Sequence, residues 1–138
     1  MPPEVEERIA IESDADVVTA RQRARQLAAG LELTSTDQTL LATAISEVAR
    51  NITTYAQRGE VILSVVRDNG GREGIQVIAR DDGPGIEDIE RALQDGYTSG
   101  GGLGLGLPGA RRLVDEFDIE SAPSEGTTVT LVKWSRAR

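Results

Sequence analysis

The apolar positions of the chain change their period several times, and each change marks an element. Ile9 and Ile11 alternate with polar neighbours between Arg8 and Glu12, the period of two that a short strand requires. Beyond it, Asp14 or Asp16 offers an N-cap, Val17, Val18, Ala24, Leu27 and Ala28 are available to a buried side, and Gly30 offers a stop, so this stretch predicts a helix to about Ala29. Ser35-Thr36-Asp37-Gln38 has the Ser-x-x-Gln form of a capping box. Leu41, Ile45, Val48, Ile52 and Tyr55 then recur at spacings of four and three, which predicts a second helix from Ser35 to about Tyr55 with one side in the core.

After Gly59 the period returns to two. Val61, Leu63 and Val65 alternate with Ile62, Ser64 and Val66, and because both sets are largely apolar the strand is expected to be well covered. Asp68-Asn69-Gly70-Gly71 supplies a hairpin turn, and Gly74 to Arg80 forms the returning strand. Nine of the fifteen glycines fall between Gly83 and Gly109, in two clusters separated by a short helical pattern from Glu87 to Gln94. A third helix is expected to follow Pro108 and end near Phe117. Two last strands, Ile119 to Ala122 and Thr127 to Trp134, join through Ser124-Glu125-Gly126. The order predicts one α+β domain over residues 1–138, a two-layer sandwich whose mixed, mostly antiparallel sheet is covered on one face by helices.

Composition narrows the partners. Aromatics are only 3 % of the residues against 38 % hydrophobic overall, so the core rests on Ala, Val, Ile and Leu. A net charge of -8 opposes a phosphate backbone, and nucleic acid is not expected. Without cysteine there is no disulfide framework or thiolate metal site, and without histidine there is no phosphohistidine relay inside the chain. The acidic start, Met-Pro-Pro-Glu-Val-Glu-Glu, has neither a basic region nor an apolar run, and no stretch reaches the length of a membrane span. A cytoplasmic location is the expectation. Arg21, Arg23 and Arg25 make a basic cluster on the first helix, for which a solvated face is favoured over partner docking.

Three stations carry chemistry. Glu47 and Asn51 lie four residues apart on the second helix, hence on one side of it and beside the apolar stripe. A carboxamide oxygen there suits Mg²⁺, and a carboxylate there can deprotonate a nucleophile; read alone, the pair is more simply a solvated polar pair. The Asp81-x-Gly83-x-Gly85 segment ends a strand, where a carboxylate can accept a hydrogen bond from an exocyclic amine and glycines leave room for a flat ring; an ordinary Asp-Gly turn is the plainer alternative. The run Gly100, Gly101, Gly102, Leu103, Gly104, Leu105, Gly106 stands before a helix, so its unobstructed amides suit a di- or triphosphate. The interleaved leucines need somewhere to pack, which argues against a solvated linker.

Two other phosphate motifs fail. Gly104-x-Gly106-x-x-Gly109 matches the dinucleotide fingerprint, but no strand precedes it. A P-loop and the His-Arg-Asp and Asp-Phe-Gly signatures of ordinary protein kinases are missing from the sequence.

The stations stand in the order of the N, G1 and G2 boxes of GHKL ATPases and kinases, and Gly126-Thr127 resembles that superfamily's closing Gly-Thr element. The segments Thr43 to Ile52, Asp82 to Ile86, Gly101 to Pro108 and Leu113 to Phe117 are similar to the small serine/threonine switch kinases of bacterial stress responses within it. The resemblance implies a Bergerat fold that holds ATP under a lid at about Glu87 to Gly102. In it Asn51 would bind Mg²⁺, and Glu47 would be the base toward the acceptor hydroxyl. Asp81 would read the adenine amine with Thr127 helping through water, Gly83 and Gly85 would shape the base pocket, and Gly100 to Gly106 would wrap the phosphates. It further implies phosphorylation of a STAS-domain antagonist on serine or threonine, association with a STAS-domain scaffold, and activation of a PP2C-type phosphatase. The competing class is a nucleotide-gated binding module or anti-sigma factor. Sensor histidine kinases of the superfamily commonly carry a basic residue where Thr54 stands, and this departure, with the lack of histidine, points away from phosphorelay chemistry.

Overall fold

The computed structural model describes residues 6–86, 93 and 106–135. Five strands form one sheet: β1 (Glu6–Ile11), β2 (Gly59–Arg67), β3 (Glu73–Asp81), β4 (Glu116–Ser121) and β5 (Thr127–Trp134), in the order β1-β2-β3-β5-β4. All four pairings are antiparallel, so among the described strands the sheet is not mixed as expected. Among the described residues three helices cover it: α1 (Asp14–Ala29), α2 (Ser35–Tyr55) and α3 (Gly106–Leu113).

Alternation decides which face of each strand enters the core. Ile9 and Ile11, Val61 and Leu63, Ile75, Val77 and Ala79, and Val129 and Leu131 share one buried cluster with the helical Val17, Ala24, Leu41, Ile45, Val48 and Ile52. On the opposite face Ile62 and Val132 are also buried but lie outside that cluster. Long side chains join across that face, where Glu60 accepts from both Arg8 and Arg80. These exposed ion pairs contribute little individually.

Several helix ends differ from the pattern reading. Helix α1 is capped from Ser13, and Asp16 instead accepts from the Glu12 amide and the Ser13 hydroxyl. The N-cap of α2 is Thr34, one residue before the expected Ser35; its hydroxyl accepts from the Asp37 amide, while Gln38 Nε2 reaches Leu33 O. Tyr55, expected in the buried stripe, is exposed, as is Val18 on α1. Helix α3 begins at Gly106 rather than after Pro108 and ends at Leu113, leaving Phe117 to β4. The expected short helix from Glu87 to Gln94 falls almost wholly outside the described residues.

The helix α2 spans the sheet from one end to the other. Near its start, buried Asp37 lies 3.6 Å from Lys133 Nζ, and Lys133 is itself 4 % exposed. Near its end, Ile52 and Ala56 stand over the opposite edge, against Gly59 and Gly83. The second edge carries the candidate site.

Candidate functional site

The register brings four residues into one row across the sheet: Gly59 faces Asp81, Asp81 faces Thr127, and Thr127 faces Ser121. Strand alternation places this row on the helix side, two residues beyond Val61, Ala79, Val129 and Ile119. A Cβ on Gly59 would come within 2.9 Å of the Ile52 side chain and 3.1 Å of Asp81 Cβ, so glycine is what lets Asp81 sit beneath α2. Asp81 Oδ1 accepts from the Gly83 amide at 2.8 Å. Burial pushes the Asp81 carboxyl above the ordinary carboxylate range, and hydrogen bonds from the Gly83 and Thr127 amides offset only part of that effect. A carboxylate held in this way is a strong acceptor for an incoming donor.

The glycines expected to shape this corner are sterically required there. A Cβ on Gly83 would stand 2.6 Å from Ala56 Cβ. Gly85 has φ +78°, and a Cβ would lie 1.9 Å from Ala122 O. Gly126, in the closing turn, has φ +76° and packs its Cα side against Asp81 O. The Asp-x-Gly-x-Gly and Gly-Thr segments, 43 residues apart between Gly83 and Gly126 in sequence, are thus two walls of one corner.

Glu47 stands one turn before Asn51 on α2. Its side chain is 9 % exposed, with Oε1 accepting from the Gly106 amide at 2.8 Å and Oε2 from Arg50 at 3.1 Å. The carboxylate therefore caps the helix that follows the glycine run, a favourable position for negative charge. Asn51 is half-buried and precedes Ile52, whose side chain touches the Asp81 corner. Asp81, Gly83, Gly85 and Thr127 thus form one corner, while Glu47 and Gly106 meet one helical turn before Asn51. Gly100, Gly101, Gly102, Leu103, Gly104 and Leu105, and most of the expected lid, lie outside the described residues. Leu107 is buried, as the interleaved leucines required.

Sequence reading did not single out Ser121. Its Oγ lies 2.8 Å from Ile86 N, Gly126 O and Thr127 Oγ1, joining both walls of the corner. Only the strand register reveals it as the neighbour of Thr127. At the far end of the sheet, Arg72, Asp115, Glu116, Trp134 and Ser135 line a cleft of about 290 Å³. Its polar groups are already engaged: Trp134 donates to Asp115 and Glu116, Arg72 donates to Asp68 and lies 5.0 Å from the indole centroid, and Ser135 donates to Glu32 O.

An antiparallel sheet with helices on one face, a carboxylate at a strand end and a helix capped at Gly106 by Glu47 make a domain of the α+β class suited to a nucleotide. Residues 36–137 match the family described as histidine kinase-, DNA gyrase B-, and HSP90-like ATPase, and the chain belongs to that family. It is 45 % identical over 128 residues to the serine/threonine-protein kinase RsbT of Bacillus subtilis, covering 93 % of this chain and 96 % of that protein. It is also 31 % identical over 120 residues to an anti-sigma F factor of a Thermoanaerobacter species, with 83 % and 82 % covered. The fold is similar to the RsbU and RsbW domains of a Mycobacterium tuberculosis protein, with a TM-score of 0.61 at 22 % identity over 99 % of this chain and 34 % of that one. With likeness to the kinase running along almost the whole of both sequences, the chain is an enzyme, a protein serine/threonine kinase that uses ATP.

Proposed function

We propose that this kinase transfers the γ-phosphoryl group of ATP to a serine or threonine of a STAS-domain antagonist, and that its release from that assembly lets it bind and activate a PP2C-type phosphatase. The partners would be an RsbS-like antagonist, an RsbR-like scaffold and an RsbU-like phosphatase, acting in the cytoplasm on a sigma-factor stress-response switch. The observation that carries the reading is the placement of Glu47. A nearly buried carboxylate accepts from the Gly106 amide, where the glycine run meets α3, and stands one turn from the Asn51 carboxamide on α2.

The roles follow from the chemistry of each group. Asp81, unable to donate when ionised, accepts from the adenine amine, with Thr127 beside it and Gly83 and Gly85 leaving room for the ring. The amides of Gly100 to Gly106, including those of Leu103 and Leu105, would serve the phosphates, since glycine leaves successive N–H groups unobstructed. Asn51 offers an oxygen to Mg²⁺, and the described residues hold no cluster of three metal-ligating side chains. That donor set suits a cation held mainly by phosphates and water. When bound, Mg²⁺ would neutralise charge on the transferring phosphoryl group. Glu47 accepts the proton of the attacking hydroxyl as the new P–O bond forms and ADP leaves. General-base assistance of this kind contributes about 10²–10⁴-fold.

Labelled ATP, offered to the purified chain with a STAS-domain partner, tests the reading. The expected result is label on a partner serine or threonine. The anti-sigma F relatives favour a second reading, in which the chain sequesters a sigma factor and phosphotransfer is secondary. A sigma factor co-purifying with the chain, with no label reaching any STAS partner, would establish that alternative.

A further inference from the structure

Ser121 closes β4, and its hydroxyl makes three contacts of 2.8 Å with three separate segments. A serine hydroxyl has one proton to give and two lone pairs to fill. The Ile86 amide can only donate, so it occupies one lone pair. The Gly126 carbonyl can only accept, so it takes the proton. One lone pair remains, and Thr127 must donate into it. All three contacts are hydrogen bonds in that arrangement alone. Thr127 has then committed its proton to Ser121, and what its oxygen keeps is lone pairs.

We propose that Ser121 is a specificity-determining positioning residue, which holds Thr127 as a pure acceptor beside Asp81 so that the pocket selects a purine bearing an amino group over one bearing a carbonyl at the same ring position. The proposal rests on the ATP site described above and concerns how that site tells bases apart. Asp81 cannot do so alone. A carboxylate accepts from the 6-amino group of adenine, but it also accepts from the ring N–H of a 6-oxopurine. A freely rotating threonine hydroxyl would not help, because it could turn its proton toward an oxo group. Ser121 removes that freedom, and Thr127 is only 6 % exposed. A 6-oxopurine that gives its ring N–H to Asp81 then finds no donor in Thr127 for its oxo group, and a polar group left without a partner in a closed site weakens binding at least about tenfold.

The experiment is calorimetric titration of the full chain with Mg-ATP and with Mg-ITP, which replaces the 6-amino group by an oxo group and the bare ring nitrogen beside it by an N–H. Native protein is expected to prefer ATP by about tenfold or more. In Ser121→Ala that preference falls toward unity, because the Thr127 proton is released to serve either base. Ser121→Thr restores the hydroxyl and with it the preference. An unchanged ATP-to-ITP ratio in Ser121→Ala overturns the proposal, including when both affinities drop together, since that is what a purely structural clip would do. Should Ser121→Ala fail to fold, Thr127→Val carries the same test: a lost preference supports the proposal and a retained one overturns it. Native protein that binds neither nucleotide refutes the ATP site itself and the proposal with it, a result distinct from binding both with an unaltered ratio.

Discussion

Glu47 and Gly106 are 59 positions apart in sequence, yet the carboxylate of one accepts the backbone amide of the other at 2.8 Å, and α3 starts at that bond. A residue assigned to catalysis is therefore also the cap of a helix, and the two roles separate by substitution. Glu47→Gln keeps an oxygen for the Gly106 amide but has no basicity. Phosphotransfer to the STAS partner is expected to fall by about 10²–10⁴-fold. Ligand-free stability should drop by no more than about 1 kcal/mol, and less than in Glu47→Ala, which also loses the cap. Transfer by the Gln variant at the native rate would remove Glu47 as the base.

Asn51 presents the opposite case, a half-buried carboxamide to which the fold assigns no packing task comparable to that of Ile52 beside it. Asn51→Ala should abolish Mg²⁺-dependent nucleotide binding while ligand-free stability stays within about 0.5 kcal/mol of native. Native protein should gain roughly 2.7 kcal/mol at about 100 times the dissociation constant of Mg-ATP, and the variant nothing. Thermal melts with and without nucleotide measure both quantities. A large ligand-free loss would make Asn51 a structural residue instead.

Much of this architecture could be read from periodicity, because strands and α2 are governed by which positions face the core. The Ile45, Val48 and Ile52 stripe and the alternation through Val61, Leu63 and Val65 hold as expected, and the end of β3 falls at Asp81. The misplaced features are those fixed by distant partners. The start of α3 is set by Glu47, and its early end precedes Asp115, which holds the Trp134 amide of β5. The cap of α2 moved by one residue because Thr34 and Ser35 carry the same functional group. Ser121 had no local signal at all. Its importance comes from lying opposite Thr127 in a register that no single strand encodes.

Lys133 did have a signal, since it continues the inward alternation of Val129 and Leu131. Its ammonium lies 3.6 Å from Asp37 and 3.5 Å from Asp115. Lys133→Met keeps most of the volume but withdraws the cation from the buried Asp37 carboxylate. Such a change is expected to destabilise the chain by about 3–5 kcal/mol. Denaturant unfolding at neutral pH checks it, and a loss below about 1 kcal/mol would show that the pair is not coupled to folding.

The raised pKa of Asp81 fixes the sign of a pH effect. A carboxyl whose folded pKa exceeds its unfolded value stabilises the fold below the unfolded value of 3.8, and that contribution is lost as pH rises through the folded value. At neutral pH the ionised group is a liability to the empty protein, retained for what it binds. Asp81→Asn should therefore be at least as stable as native at pH 7 without ligand, with the difference shrinking as pH falls toward 3.8. The same variant should lose Mg-ATP affinity by about tenfold or more, because the amide presents a donor where the adenine amine needs an acceptor. Unfolding curves from pH 3 to 8 test the first half, and an Asn variant clearly less stable than native at neutral pH would refute it.

Gly85 and Gly71 separate strain from collision. Both have positive φ, +78° and +83°, but a Cβ at Gly71 meets nothing within 4 Å, while one at Gly85 would lie 1.9 Å from Ala122 O. Gly71→Ala should therefore show backbone strain alone, about 1 kcal/mol. Gly85→Ala adds displacement of the Ala122 carbonyl, and with it of neighbouring Ser121 and the corner it clips together. The expected loss is more than about 3 kcal/mol of stability together with nucleotide binding. Equal losses in the two variants, measured by denaturant titration, would mean that the corner yields without resistance and that Gly85 is there for its dihedral angle alone.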